Sequence, residues 1–318
     1  LTIAEAGKQT EPTTSQAMTT ALQEMLAQEE PLLDRLHWHK IPAGSNSYRY
    51  LQPSQAPTPS FRAINAAWDA THGVWIPKQE SVAILGGELE IDVAILDMYG
   101  GQLSMGMRAR ELKAWTIAIK DKWLQTFFEG DVGVDPAAFE GLRTRVAGSG
   151  MDFDMSSGTD RAALTLAKLD EVIEAVLGGV ERKSIATNQW LRRKINALIR
   201  ESSQAQETVD TGFGRIMPSY GGVPLIVIQK ESDMSTILDF DEDPGDGGDD
   251  TASMYCIRFA NGEEPGVFGL MGNNGGWEAK AFGEQESVPR NLDRFSAYVG
   301  LAAPHPRAFA RLHSVGKI

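Results

Sequence analysis

Three stretches of this sequence carry residue types that could do chemistry. The first is the run Asp241-Glu242-Asp243-Pro244-Gly245-Asp246-Gly247-Gly248-Asp249-Asp250, whose carboxylates could hold a hard cation through oxygen. The spacing of a calcium-binding helix-loop-helix is not met and its closing glutamate is absent, so a solvated acidic loop is the simpler reading. The second is the glycine series Gly266, Gly269 and Gly272. Its G-x-x-G-x-x-G spacing is followed by no lysine and no helical pattern, as a phosphate loop would need; turns or bulges between short strands account for it. The third is His37 and His39 around Trp38. Two residues apart, both imidazoles face one side of an extended chain, but no third ligand is adjacent, which points to local packing.

The remaining histidines, His72, His305 and His313, stand in no catalytic context, and no G-x-S-x-G elbow occurs. Cys256, the single cysteine, permits no internal disulfide and no cysteine-based zinc site. It lies in the apolar run Met254-Tyr255-Cys256-Ile257, where a buried, inert thiol in a reducing compartment is expected. The sequence therefore nominates no catalytic, cofactor-binding or metal-binding residues.

The elements that hold these residues can be read from spacing. Residues 14–36 carry a short amphipathic pattern (Ala17, Ala21, Leu22, Met25, Leu26) with Ser15 as cap, stopping near Pro31. Residues 48–80 are aromatic yet punctuated by Pro53, Pro57, Pro59 and Pro77, with extended pieces at 48–50 and 61–64. That is too long for an ordinary connection, and Trp68 and Trp75 argue against a solvated linker; a hairpin that packs on another subunit explains both. From 82 to 96 apolar residues fall on odd positions (Leu85, Leu89, Ile91, Val93, Ile95), the period of a half-buried strand. After Gly100-Gly101, Leu112, Trp115, Ile119, Trp123 and Phe127 mark a long helix over 102–129, a structural spine.

Downstream, Ala162, Leu166, Leu169, Ile173 and Val176 predict a helix over 159–177 ended by Gly178-Gly179. A strand follows at 183–187. Asn188 then caps a helix with Leu191, Ile195 and Leu198 inside and Arg192, Arg193, Lys194 and Arg200 outside. Strands are expected at 223–228, 254–259 and 295–299, so the region is a mixed α/β unit.

The totals exclude more than they select. A chain of 318 residues with 42% apolar and 23% charged residues folds around a sizeable core. Its formal charge of -13 argues against tight binding to phosphate backbones, and no apolar run is long enough to span a membrane.

The order of pieces resembles the tailed-phage major capsid proteins of the Hong Kong 97-type fold over nearly the whole chain. The segments that carry the resemblance are Pro31-Leu32-Leu33-Asp34-Arg35-Leu36, Phe61-Arg62-Ala63-Ile64-Asn65, Phe127-Phe128-Glu129-Gly130-Asp131, Phe139-Glu140-Gly141-Leu142, Phe213-Gly214-Arg215 with Tyr220-Gly221-Gly222-Val223-Pro224, and Tyr298-Val299-Gly300-Leu301 with His305-Pro306-Arg307-Ala308. The helix start Asn188-Gln189-Trp190-Leu191-Arg192-Arg193-Lys194 is a further match. The resemblance implies an α+β fold divided into an N-terminal arm (1–47), an extended E-loop hairpin (48–80), a P-domain with the spine helix (81–134 and 284–318) and an α/β A-domain (135–283).

It also implies a structural, non-enzymatic subunit that assembles with itself into hexamers and pentamers of an icosahedral head enclosing double-stranded DNA. Partners would be a separate scaffolding protein, since no long helical extension precedes the arm, a portal and in some heads a decoration protein. Synthesis would be in the host bacterial cytoplasm. Some relatives cross-link covalently through an E-loop lysine; Lys78 is the only lysine in that loop, and an ordinary surface charge is its simpler reading. An encapsulin-like nanocompartment of the same fold is the nearest rival, and an α/β metabolic enzyme a remote one that leaves the 48–80 hairpin without a use.

Overall fold

A computed structural model describes residues 31–98, 100–156, 161–202, 207–210, 216–243, 250–261, 264–272 and 277–318. The helix expected over 14–36 falls mostly outside these residues. Its described end is α1 (Pro31–Arg35), which buries Leu32 and Leu33. Pro31 stands at the first position of α1, where its missing N–H is not needed and its fixed φ is already right.

The chain continues through β1 (Trp38–Lys40), β2 (Ser47–Gln55), β3 (Val74–Ser81) and β4 (Ala83–Asp92). β2 and β3 pair antiparallel from Ser47↔Ser81 to Gln55↔Val74 and form a two-stranded sheet of their own. Pro53 and Pro77 are tolerated there because both strands are edges. Residues 61–64, expected to be extended, instead belong to the loop between these strands.

The strand expected over 82–96 ends at Asp92. Its carboxylate accepts from the backbone N–H of Ala94 at 2.9 Å and turns the chain into α2 (Val93–Met98), so Val93 and Ile95 are helical. α3 (Gly100–Glu129) follows, about 45 Å long at the helical rise. It buries Leu112, Ile119, Trp123 and Phe127, together with Leu124 and Phe128 on the adjoining stripe. Trp115 is half-buried and stacks on Phe295 with ring centroids 5.7 Å apart.

Next come α4 (Leu142–Val146), β5 (Asp152–Asp154), α5 (Leu166–Ala175), β6 (Lys183–Thr187), α6 (Gln189–Glu201), β7 (Glu207–Asp210), β8 (Ile216–Tyr220), β9 (Val223–Val227), β10 (Thr251–Arg258), β11 (Phe268–Met271), β12 (Trp277–Glu284), β13 (Arg290–Ala302) and β14 (Phe309–Gly316). α5 starts later than the spacing predicts. Thr165 caps it through its hydroxyl, and Ala162 upstream is drawn into a β-bridge with Val315. α6 begins where expected: the Asn188 side chain accepts from the N–H of Leu191 at 2.7 Å and donates to the carbonyl of Leu238 at 2.9 Å. Its deepest residues are Leu191, Ile195 and Ile199, with Leu198 only half-buried.

Two larger sheets carry the body. One has five strands in the order β1-β11-β13-β12, with β4 on the other side of the long β13; the other has seven, β5-β14-β10-β6-β9-β8-β7. β11 and β12 join the sheet of β4 and β13, while β14 joins the seven-stranded sheet. Alternation along the strands sorts the core. Ala186, Ile226, Tyr255, Ile257 and Phe309 face the cluster built around α3, whereas Ile185, Leu225, Cys256 and Leu312 face α5 and α6. The fold is α+β, as the sequence implies, and the hairpin is the one described sheet with no core of its own.

Candidate assembly surface

The loop at the far end of the hairpin turns its apolar groups outward. Phe61, Ile64 and Trp68 are 107%, 92% and 63% exposed, and Leu51, Trp75 and Ile76 on the strands are exposed as well. The loop is nonetheless organised. Trp68 Nε1 donates to the carbonyl of Ser60 at 3.1 Å, Thr71 Oγ1 to that of Thr58 at 3.0 Å, and the Arg62 guanidinium lies 4.3 Å from the centre of the Trp68 ring. An apolar surface of this kind, held in one shape and uncovered, marks a site of interaction.

The near end of the hairpin is half-buried against the body. Tyr48, Tyr50 and Val82 pack against Ile41, Phe268, Leu270 and Ala302, with Tyr48 edge-on to Phe268 at 5.6 Å. His39 completes this cluster, its ring 4.8 Å from Tyr48 and 6.0 Å from Phe268. Beside the aromatics, Arg145 from α4 makes two bonds to the Glu80 carboxylate, at 2.5 and 2.7 Å, and donates to the carbonyls of Leu301 at 3.2 Å and Glu140 at 3.0 Å. The Tyr50 hydroxyl donates to Glu80 at 3.0 Å. Burial works against the Arg145 charge, but the Glu80 hydrogen bonds and charge outweigh it and hold the guanidinium above its ordinary range. Burial, then the Glu80 charge, pushes the Tyr50 hydroxyl well above the usual phenol range.

The residues singled out by sequence chemistry lie in different parts of the fold. In the acidic run, 244–249 lie outside the described residues, but Glu242 is not the solvated group the sequence suggests. It accepts from Ser253 at 2.5 Å and pairs with Arg311 at 2.9 Å, with Arg143 at 3.7 Å, and so ties the loop to β10 and β14. Burial, then the neighbouring Glu242, pushes the Asp241 carboxyl up. Gly269 lies in β11, with Gly266 in the bend that leads towards it and Gly272 just past its end. Gly269 lies under the Trp38 ring, where an added Cβ would come within 2.6 Å, and Gly266 and Gly272 are similarly close to Ala260 and Tyr298. His37 and Lys78 are exposed, as is His72 in the hairpin loop. The His305 Nδ1 accepts from the Arg307 N–H at 3.0 Å, and burial with the nearby Arg307 and Arg258 holds that ring below its ordinary range. Cys256 is buried in β10, and burial pushes its thiol up to about 12.

Among the described residues no three His, Cys, Asp or Glu side chains converge as a metal site, and no helix is long and apolar enough to cross a membrane. Sequence reasoning missed the Glu80–Arg145 pair. Its partners lie 65 positions apart, and neither sits in a motif.

A buried body with an outward apolar hairpin is the build of a shell protein of the Hong Kong 97-type fold. The family model of major capsid protein GP7 matches residues 14–205, and the chain belongs to that family. Its role is structural, as a component of a capsid. No curated protein matches the sequence.

Solved structures share the fold at low identity. The holo-SrpI encapsulin complex from Synechococcus elongatus is 18% identical with a TM-score of 0.63, over 90% of this chain and 87% of that one. The capsid of a native GTA particle is 14% identical with a TM-score of 0.59, over 90% of each chain. A structure of Mycobacterium phage Bobi is 10% identical with a TM-score of 0.58, over 91% of this chain and 93% of that one. At such identities the likeness is one of fold; the family match is what favours a phage capsid over a nanocompartment.

Proposed function

We propose that the chain is the non-enzymatic subunit from which an icosahedral phage head is built, in hexamers and pentamers closed around double-stranded DNA. The observation that carries this reading is the hairpin: its outer end holds Phe61, Ile64, Trp68 and Trp75 in water while its base is locked into the body. Such a surface is wasted on a monomer. Laid over an adjacent copy, it buries apolar area once per subunit, and repetition around a closed lattice adds many modest contacts into a stable shell.

In this reading 1–47 are the arm, 48–80 the E-loop, and the spine helix with the β4–β13 sheet the P-domain. The seven-stranded sheet with α5 and α6 is the A-domain. Relative to divisions at 135 and 284, residues 268–284 then move to the peripheral domain and 309–316 to the axial one. The charge of -13 suits a wall that encloses DNA without sequence-specific binding. The subunit is made in the host bacterial cytoplasm and uses a separate scaffolding protein, a portal and, where the outside is capped, a decoration protein.

The test is negative-stain microscopy of particles from the native source, treated with nuclease and assayed for protected nucleic acid. Uniform icosahedral shells holding protected DNA are expected. Shells filled with protein would turn the reading to a nanocompartment, and small oligomers in every buffer would overturn it.

A further inference from the structure

Among the described residues the hairpin packs on the body through Tyr48, Tyr50 and Val82 at its base, so whatever fixes the base fixes where the loop is delivered. We propose that Glu80, Arg145 and Tyr50 form a positioning latch that sets the angle at which the hairpin leaves the body. The inference rests on the capsid reading and deepens it by naming the residues that aim the contact.

Three observations converge on it. First, a single guanidinium joins three parts of the subunit. Arg145 holds Glu80 of β3 with two bonds, the carbonyl of Leu301 in β13 at 3.2 Å, and the carbonyl of Glu140 ahead of α4 at 3.0 Å. Apolar packing alone resists separation but permits rotation. A two-pronged arginine–carboxylate pair also fixes direction, because both bonds are kept only when the two planar groups stay aligned.

Second, the two chain ends of the hairpin are seated together. The Val82 N–H donates to the carbonyl of Asn46 at 3.1 Å. Beside this seat the Ser81 carbonyl comes so close to Gly300 that a Cβ there would lie 2.9 Å from its oxygen. The pivot is thus a narrow strip of backbone, and the latch lies next to it.

Third, there is room to move. A cleft of about 470 Å³ separates the hairpin base from the body, with Gln52, Ile76 and Lys78 on one side and Thr144, Ser149 and His305 on the other. A hairpin freed from Arg145 can swing into that space without displacing core. The pair is also costly to break from one side: the side chains of Arg145 and Glu80 are 9% and 14% exposed, so removing either leaves a charge in a poorly solvated place.

The experiment is hydrogen exchange on the purified subunit before assembly, comparing wild type with Arg145→Lys, Arg145→Met, Glu80→Gln and Tyr50→Phe. Arg145→Lys is the telling variant, because it keeps the charge and loses the fork. Exchange over 47–55 and 74–81 is expected to rise about tenfold in Arg145→Lys and on the order of a hundredfold in Arg145→Met. Tyr50→Phe should show a smaller rise, and protection of β6, β9 and β10 should stay at wild-type level throughout. Unchanged hairpin exchange in both Arg145→Lys and Glu80→Gln would overturn the latch. So would exchange that rises equally in the seven-stranded sheet, which would mark a general stabilising contact. Should Arg145→Met fail to fold, Arg145→Lys and Glu80→Gln decide the matter by the same readout. The measurement needs no shells, so a wild-type protein that never forms them counts against the capsid reading and leaves the latch to its own result.

Discussion

The spine helix and the hairpin both invest in tryptophan, and they use it in opposite ways. Trp123 on α3 is fully buried, its ring 5.5 Å from Trp38 and 5.2 Å from Phe127. Trp68 and Trp75 on the hairpin are each more than half exposed. The residue type is the same; what differs is how many sides the local architecture can cover. A long helix set against two sheets has its apolar stripe enclosed by its own chain. A two-stranded ribbon has no second layer and is marginal alone in water, so its apolar groups wait for a surface from elsewhere. In the proposed reading the subunit is divided between residues that stabilise the fold and residues that become useful only in the assembled state.

That division can be broken or sharpened by substitution. The largest expected effect on the subunit is Trp123→Ala, which should cost about 3–5 kcal/mol in denaturant unfolding because it opens a cavity at the centre of the core. A loss comparable to that of a surface residue would erase the contrast.

Burial of Cys256 should slow its reaction with a thiol reagent at pH 8 by about a thousandfold relative to the denatured chain, since its thiol is pushed up to about 12. The same shift fixes a pH dependence. The folded state keeps the thiol neutral, so this contribution is whole below the ordinary thiol range and is lost as pH rises towards the folded value, where the unfolded chain alone has ionised. Labelling of the native subunit at the denatured rate would show that β10 opens readily.

Asn188→Ala should cost about 1–2 kcal/mol by removing both the α6 cap and the bond to Leu238. The exposed cross-strand pair of Arg294 with Glu88, at 2.7 Å, is worth less, and Arg294→Ala should cost under about 1 kcal/mol, falling further in high salt.

The smallest effect on the subunit, and the most informative, is expected at the loop. Phe61→Asp should leave unfolding within about 0.5 kcal/mol of wild type while shell yield, followed by light scattering, falls severalfold. Shells at wild-type yield would show that the loop is not an interface.

Much of this is legible in the sequence. The strand at 183–187, the Asn188 cap and the α6 stripe announce themselves because cap, period and burial lie within a few residues of one another. The 48–80 hairpin was legible through conflict, since aromatic residues and prolines together fit neither a core strand nor a solvated linker. Where local signals competed, spacing misled. The odd-position pattern runs to Ile95, yet the Asp92 side chain ends the strand three residues earlier; the α5 pattern begins at Ala162, yet that residue pairs with Val315.

Short-range causes in the sequence set the elements, and the order of those elements marks the family to which the chain belongs. Long-range packing brings Arg145 to Glu80 and Glu242 to Arg311, and it sets Trp38 against Gly269. These are contacts between residues far apart in the chain. Charge and size mark each residue as needing a partner, but which partner it finds is set by how the sheets stack, and no local pattern encodes that.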